Sequence, residues 1–126
     1  MKDFSSGENE FVLFDFKPGG TAGGPIFFVI IDAPFNAEIH SELMSFWRKD
    51  IKIKITDEAG KRGVETEFYV KNIPPKDYKE GPRMRIILRQ PYESDTAQKI
   101  VKLYQNNIKF EFKVIQSELD MEDDEE

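Results

Sequence analysis

The sequence predicts an α+β fold assembled from two copies of one strand-strand-helix-strand unit, and three observations carry that expectation. The chain repeats itself at a fixed offset. Pro25 and Pro82 stand 57 positions apart, as do Pro34 and Pro91, Glu10-Phe11 and Glu67-Phe68, and Ile51-Lys52 and Ile108-Lys109. Pro18 and Pro75 keep the same offset, while Phe35 and Trp47 land on Tyr92 and Tyr104 without a gap. Such self-similarity marks a tandem supersecondary unit. Each copy also ends in strict alternation, Ile51-Lys52-Ile53-Lys54-Ile55 in one and Ile108 to Val114 in the other, as a half-buried strand requires. Between proline and strand, each copy holds an apolar stripe at helical spacing: Ile39, Leu43, Phe46 and Trp47, then Ala97, Ile100, Val101 and Tyr104.

Taken in order, residues 1–9 are polar and are expected to be mobile. Phe11 to Phe16 reads as the first strand, rich in aromatic and branched side chains. Lys17 to Pro25, with four glycines and a proline at each end, reads as a surface loop. Ile26 to Asp32 is the next strand, and Asn36 can cap the helix that comes after Pro34. Asp57 to Gly63 is a turn joining the copies, and Val64 to Ile73 opens the second. Pro74-Pro75 through Gly81-Pro82 reads as a stiffer, charged loop, Met84 to Leu88 as a strand core, and Ser94 as the second helix cap. The two copies, about 10–57 and 67–114, are expected to pack about a pseudo-twofold axis, because neither buries enough alone. The product is a six-stranded, mainly antiparallel sheet, or a partial barrel, with both helices on one side.

Composition sets the outer limits. A chain of 126 residues with 39% hydrophobic residues supports one domain, expected over 1–117. With no cysteine, disulfides, thiolate metal sites and a cysteine nucleophile are excluded. No apolar run near Met1 reaches signal-peptide length, and Ile26 to Ile31 is far short of a membrane span. The expectation is an intracellular protein, cytoplasmic, nucleoid or nuclear, neither secreted nor attached to a membrane.

The net charge of −6 misleads until it is located, since seven acids crowd into residues 118–126 and leave the rest at +1. That run has too little apolar content to fold and is expected to be a disordered tail, solubilising or bound by a protein partner. The copies differ as well. Residues 10–57 hold seven acids and five bases, whereas 67–114 hold six acids and ten bases. A divergence of that size between two copies points to function rather than fold.

Strand parity separates two faces. Phe11, Leu13, Phe27, Val29 and Ile31 share one with Phe68, Val70, Met84, Ile86 and Leu88, apolar in both copies and therefore core. On the other face the first copy offers Val12, Phe14, Phe16, Ile26, Phe28 and Ile30, a broad apolar surface that suits a homodimer interface. The second copy offers Tyr69, Lys71, Ile73, Arg83, Arg85 and Ile87, with Arg89 at the strand end. Lysine and arginine beside an exposed ring are what a nucleic-acid-binding sheet needs, bases stacking on the ring and cations neutralising phosphates.

Catalytic parts are missing. His40 is the single histidine and reads as a packing residue, so neither a nucleophile–base pair nor a transition-metal cluster can be assembled. No metal and no cofactor is expected. The loop Gly19 to Gly24 lacks the lysine and hydroxyl of a phosphate-binding loop and leads into a strand. The acidic C-terminus is loosely similar to the tails of bacterial single-stranded-DNA-binding proteins over nine residues, but ends Asp124-Glu125-Glu126 without their terminal apolar residue. The leading reading is a non-enzymatic protein that binds single-stranded nucleic acid, DNA or RNA, through Tyr69, Lys71, Arg83, Arg85 and Arg89. The alternative is a homo-oligomeric interaction module working through Val12, Phe14, Phe16, Ile26, Phe28 and Ile30.

Overall fold

The structure, a computed structural model, describes residues 3–79 and 81–115. The acidic tail expected at 118–126 lies outside the described residues. Strands β1 (Phe4–Ser5), β2 (Phe11–Thr21) and β3 (Gly24–Pro34) lead to helix α1 (Ala37–Met44). Strands β4 (Asp50–Asp57), β5 (Gly63–Asn72), β6 (Pro75–Tyr78) and β7 (Gly81–Pro91) precede helix α2 (Ser94–Val101) and strand β8 (Asn107–Val114). The class is α+β, a mostly antiparallel sheet with two helices among the described residues.

Among the described residues eight strands replace the expected six. One addition lies in the N-terminal stretch read as mobile: Phe4 pairs with Phe112, is buried, and packs its ring near those of Phe110 and Phe112. Ser6 closes that strand down, its Oγ accepting from the Phe110 amide at 2.9 Å. The other is β6, in the stretch read as a charged loop. Likewise Lys17 to Pro25 is a hairpin arm, not a loop: β2 runs to Thr21, which pairs with Gly24. Proline is tolerated there because, beyond Leu13, β3 is the one strand that β2 pairs with among the described residues. Gly24 and Gly81 start β3 and β7 at φ of 120° and 116°, a region closed to other residues.

The pairings close on themselves. From β8 they run through β2, β3, β7, β5 and β4, and β4 returns to β8. Inside that ring, alternate residues form one core cluster, including Phe11, Leu13, Phe27, Ile53, Phe68, Met84 and Phe110. Leu43 and Phe46 from the first helical segment join the same cluster, as do Ile100 and Leu103 from the second. The helices come after the C-terminal ends of β3 and β7, which are antiparallel. They therefore leave the ring at opposite ends instead of sharing one side as expected, each closing one mouth over the core.

Local chemistry sets the helix limits. Asn36 Oδ1 accepts from the Ile39 amide at 3.1 Å and starts α1. The cap of α2 is Glu93, not Ser94: its carboxylate accepts from the Thr96 amide at 2.7 Å and the Asp95 amide at 3.2 Å. Those bonds favour the charged form, and Thr96 and the α2 amides hold the Glu93 carboxyl below its ordinary value. After each helix a residue with left-handed φ turns the chain, Arg48 at 59° and Gln105 at 61°. Their amides donate to Val70 O and Leu13 O at 2.8 and 2.7 Å, tying each turn to the other half.

Two irregularities decide which side chains face outward. The β2–β3 register slips between Leu13 and Asp15, and the β5–β7 register slips between Val70 and Asn72. A bulge reverses the parity of the residues beyond it. Phe16, expected on the outer apolar face, therefore turns inward, pairs with buried Val29 and packs on Phe27 at 5.0 Å. Ile73, expected beside Lys71, is buried for the same reason.

Candidate functional site

The two faces that the sequence treats separately are one surface. Pairing of β3 with β7 sets Phe28 opposite Arg89, Ile30 opposite Ile87, Asp32 opposite Arg85 and Pro34 opposite Arg83. On the flanks, β2 adds Val12, Phe14 and Asp15, and β5 adds Tyr69 and Lys71. The apolar strands β2 and β3 therefore lie side by side with the basic strands β7 and β5 across the outside of the ring.

On this surface three cations lie over three rings among the described residues. The Arg85 guanidinium carbon sits 4.1 Å from the Phe14 ring centre, Lys71 Nζ 5.0 Å from Phe28, and the Arg89 guanidinium carbon 4.6 Å from Tyr69. The bulges produce two of these contacts, since Phe14 and Lys71 are the extra residues pushed out of their ladders. A cation over a ring is held by the ring quadrupole and keeps its charge.

Two of the predicted phosphate contacts already have a carboxylate. Arg83 donates from Nε and Nη2 to Asp32 Oδ2, at 3.1 and 2.5 Å. Arg85 donates from Nε to Asp32 Oδ1 at 3.5 Å. Asp32 is only 8% exposed, and a carboxylate so placed needs partners to stay charged. Arg89 and Lys71 have no carboxylate partner among the described residues, whereas Lys17 is paired with Asp15 at 3.5 Å.

The apolar residues are less open than the sequence implies. Phe14 is 38% exposed, Phe28 and Val12 are half-buried, and Ile30 is largely covered. Larger exposed rings lie elsewhere, at Trp47, Tyr92 and Tyr104. His40 packs against Phe35, with Nε2 2.8 Å from Ile73 O. Among the described residues no group of acids or histidine is arranged to hold a metal, and no helix is long and apolar enough to cross a membrane.

Sequence reasoning missed one feature. At the rim of the ring, β5 parts from β7 and leaves a groove of about 650 Å³ beside Tyr69 and Arg89. Gln90 lines it, the one polar residue in the inward series Met84, Ile86, Leu88, Gln90. A polar side chain at a core parity was the available signal. No family model, curated protein or solved structure matches the chain.

Proposed function

We propose that the chain is a non-enzymatic binding protein that takes single-stranded nucleic acid across the outer face of β2, β3, β7 and β5. The observation that carries this reading is the interleaving of Phe14, Phe28 and Tyr69 with Arg85, Lys71 and Arg89 over one continuous surface. Unpaired bases stack on aromatic rings and on guanidinium planes alike. A guanidinium beside a ring can offer its plane to a base and its N–H edge to a phosphate. Arg83, Arg85, Arg89 and Lys71 gather on the β7 and β5 part of the face, and that cluster of cations suits a polyanion. The test is titration of a labelled oligothymidine at rising salt, watched by anisotropy. Affinity that falls with salt and is reduced in Lys71→Ala and Tyr69→Ala supports the reading; a strand ignored at low salt removes it.

A second reading is favoured by a specific observation, the exposed Phe14 beside half-buried Phe28 and Ile26. In that reading the same face, with Val12 and Ile30, is an isologous homodimer interface. Phe28→Lys then yields folded monomers, whereas a wild-type protein that is monomeric at high concentration eliminates it.

We also propose that the halves arose by duplication and pack about a pseudo-twofold axis. In support, the bulges at Phe14 and Lys71, the turns at Arg48 and Gln105, and both helices recur at the 57-residue offset. Ile30 pairs with its own counterpart Ile87, and Lys54 with Glu111. The cation–ring contacts obey the offset with roles exchanged, Phe14 answering Lys71 and Arg85 answering Phe28.

A further inference from the structure

The groove at the β5–β7 rim has a physical origin. β5 is bonded to β7 from Tyr69–Arg89 to Asn72–Ile87, while its earlier residues pair only with β4. Where the two strands part, Gln90 spans the gap, its Nε2 donating to Glu67 O at 2.7 Å. Gln90 is 7% exposed, and that bond fixes which way its amide points. Its Oε1 has no hydrogen-bond partner among the described residues, and a buried acceptor left so is destabilising unless something fills the need.

The groups around that oxygen are complementary to one kind of ligand. Asp50 and Glu67 bring acceptors to the same groove, and Arg89 brings the donor fork. Asp50, Tyr69 and Arg89 stand in one row across β4, β5 and β7, so the carboxylate and the guanidinium flank the tyrosine. Phe68 and Pro91 give apolar wall, and the volume suits a single nucleotide.

We infer that this groove is a guanine-selective base pocket, an inference that rests on the reading of the adjoining face as a nucleic-acid surface. Guanine alone among the bases sets two neighbouring N–H donors, N1 and N2, on one edge and two neighbouring acceptors, O6 and N7, on another. The donors meet Gln90 Oε1 and the carboxylates; the acceptors meet Arg89, whose fork matches O6 and N7. Adenine lacks the second acceptor beside N7, cytosine offers one amino group as donor, and uracil one ring N–H. The matched rim of the other half lacks this chemistry, since Ala33, Asp32 and Val12 occupy the positions of Gln90, Arg89 and Tyr69.

The experiment titrates ¹⁵N-labelled full-length protein with guanosine, adenosine, cytidine, uridine and inosine 5′-monophosphates, monitoring the Gln90 side-chain amide. Guanosine monophosphate is expected to shift it and to bind about tenfold or more tighter than the rest, each good bidentate contact contributing that much discrimination. Inosine monophosphate, without the 2-amino group, is expected to lose most of that preference. Glu67→Gln with Asp50→Asn keeps the shape and is expected to abolish it, and Gln90→Met serves as a second variant. Equal shifts from all the nucleotides, or none from any, overturn the inference. Oligothymidine binding, measured in parallel, reports on the face alone. Strands bound without guanine preference sink the pocket and spare the face, while guanine preference without strand binding does the reverse.

Discussion

At one rim of the ring Gln90, Arg89 and Tyr69 border a groove of about 650 Å³; at the other, Ala33, Asp32 and Val12 hold the same backbone positions, and the groove is about 310 Å³. The backbones share the bulges and the left-handed turns but part at the rims, where β5 runs on from Gly63 and the matching residues 6–10 form a turn, so backbone and side chains both contribute to the difference. In the first half the polar residue faces its neighbours: Asp32 is enclosed and bound by Arg83 and Arg85. In the second it faces outward, with Arg89 resting on a ring. The first half thus supplies apolar surface and a counter-charge, and the second supplies the cations that would meet a ligand. Under the proposed reading, a charge difference between the two halves becomes a division of labour because both contribute to one face, through the β3–β7 pairing.

The largest expected effect tests the likeness of the halves. Phe11 and Phe68 are matched and fully buried, so Phe11→Ala and Phe68→Ala are each expected to lose about 3–5 kcal/mol in denaturant unfolding. A cheap loss at one and a severe loss at the other would break the equivalence.

The next contrast is between Asp32 and Arg89. Asp32→Asn leaves two half-buried guanidiniums short of a carboxylate and is expected to destabilise by about 2–3 kcal/mol. Arg89→Ala removes one cation–ring contact, worth about 0.5–1 kcal/mol. Equal losses in the same unfolding assay would mean that Asp32 is not the organising group.

For ligand binding the contrast moves to Tyr69 and Val12. Tyr69→Ala is expected to weaken oligothymidine binding by about 1–3 kcal/mol, while Val12→Ala leaves it nearly unchanged. Comparable losses would assign the work to the apolar half.

The smallest effect is a difference between the helix caps in acid. Glu93 is held below the ordinary glutamate value of 4.5 by its bonds to Thr96 and the α2 amides, so its contribution is full above that value. It is lost as pH falls through the depressed value in the folded protein. Asn36 does not titrate. Hydrogen exchange in α2 is therefore expected to speed up in acid relative to α1, and Glu93→Gln to abolish that pH dependence. Parallel acid responses of the two helices would remove Glu93 as the cause.

Much of the fold was legible in the sequence. Fixed offsets between prolines, alternation in Ile51 to Ile55, and the Leu43 and Ile100 stripes each report a local period that burial imposes on the chain. What escaped depends on geometry with no residue signature. A bulge at Phe14 or Lys71 carries no glycine to announce it, yet it turns Phe16 from the outer face to pack against the core and puts Ile73 within it. The hairpin arm through Gly19 and Gly20 looked like a loop because composition records flexibility, not pairing. At Gly19 an added Cβ would meet the Phe28 ring at 2.9 Å, so close approach, not freedom, explains that glycine. The Asp32 carboxylate and its two arginines lie on neighbouring strands whose register only the closed ring fixes. Of the candidate site, residue types were readable; which of them share a face was not.

The most direct test of the central proposal is the salt dependence of oligothymidine binding in wild-type protein and in Arg89→Ala. A straight fall of log affinity with log salt is expected, shallower by about 0.7 in the variant, the counterion release per phosphate contact on single strands. Identical slopes in the two proteins, or no binding at low salt, would contradict the account.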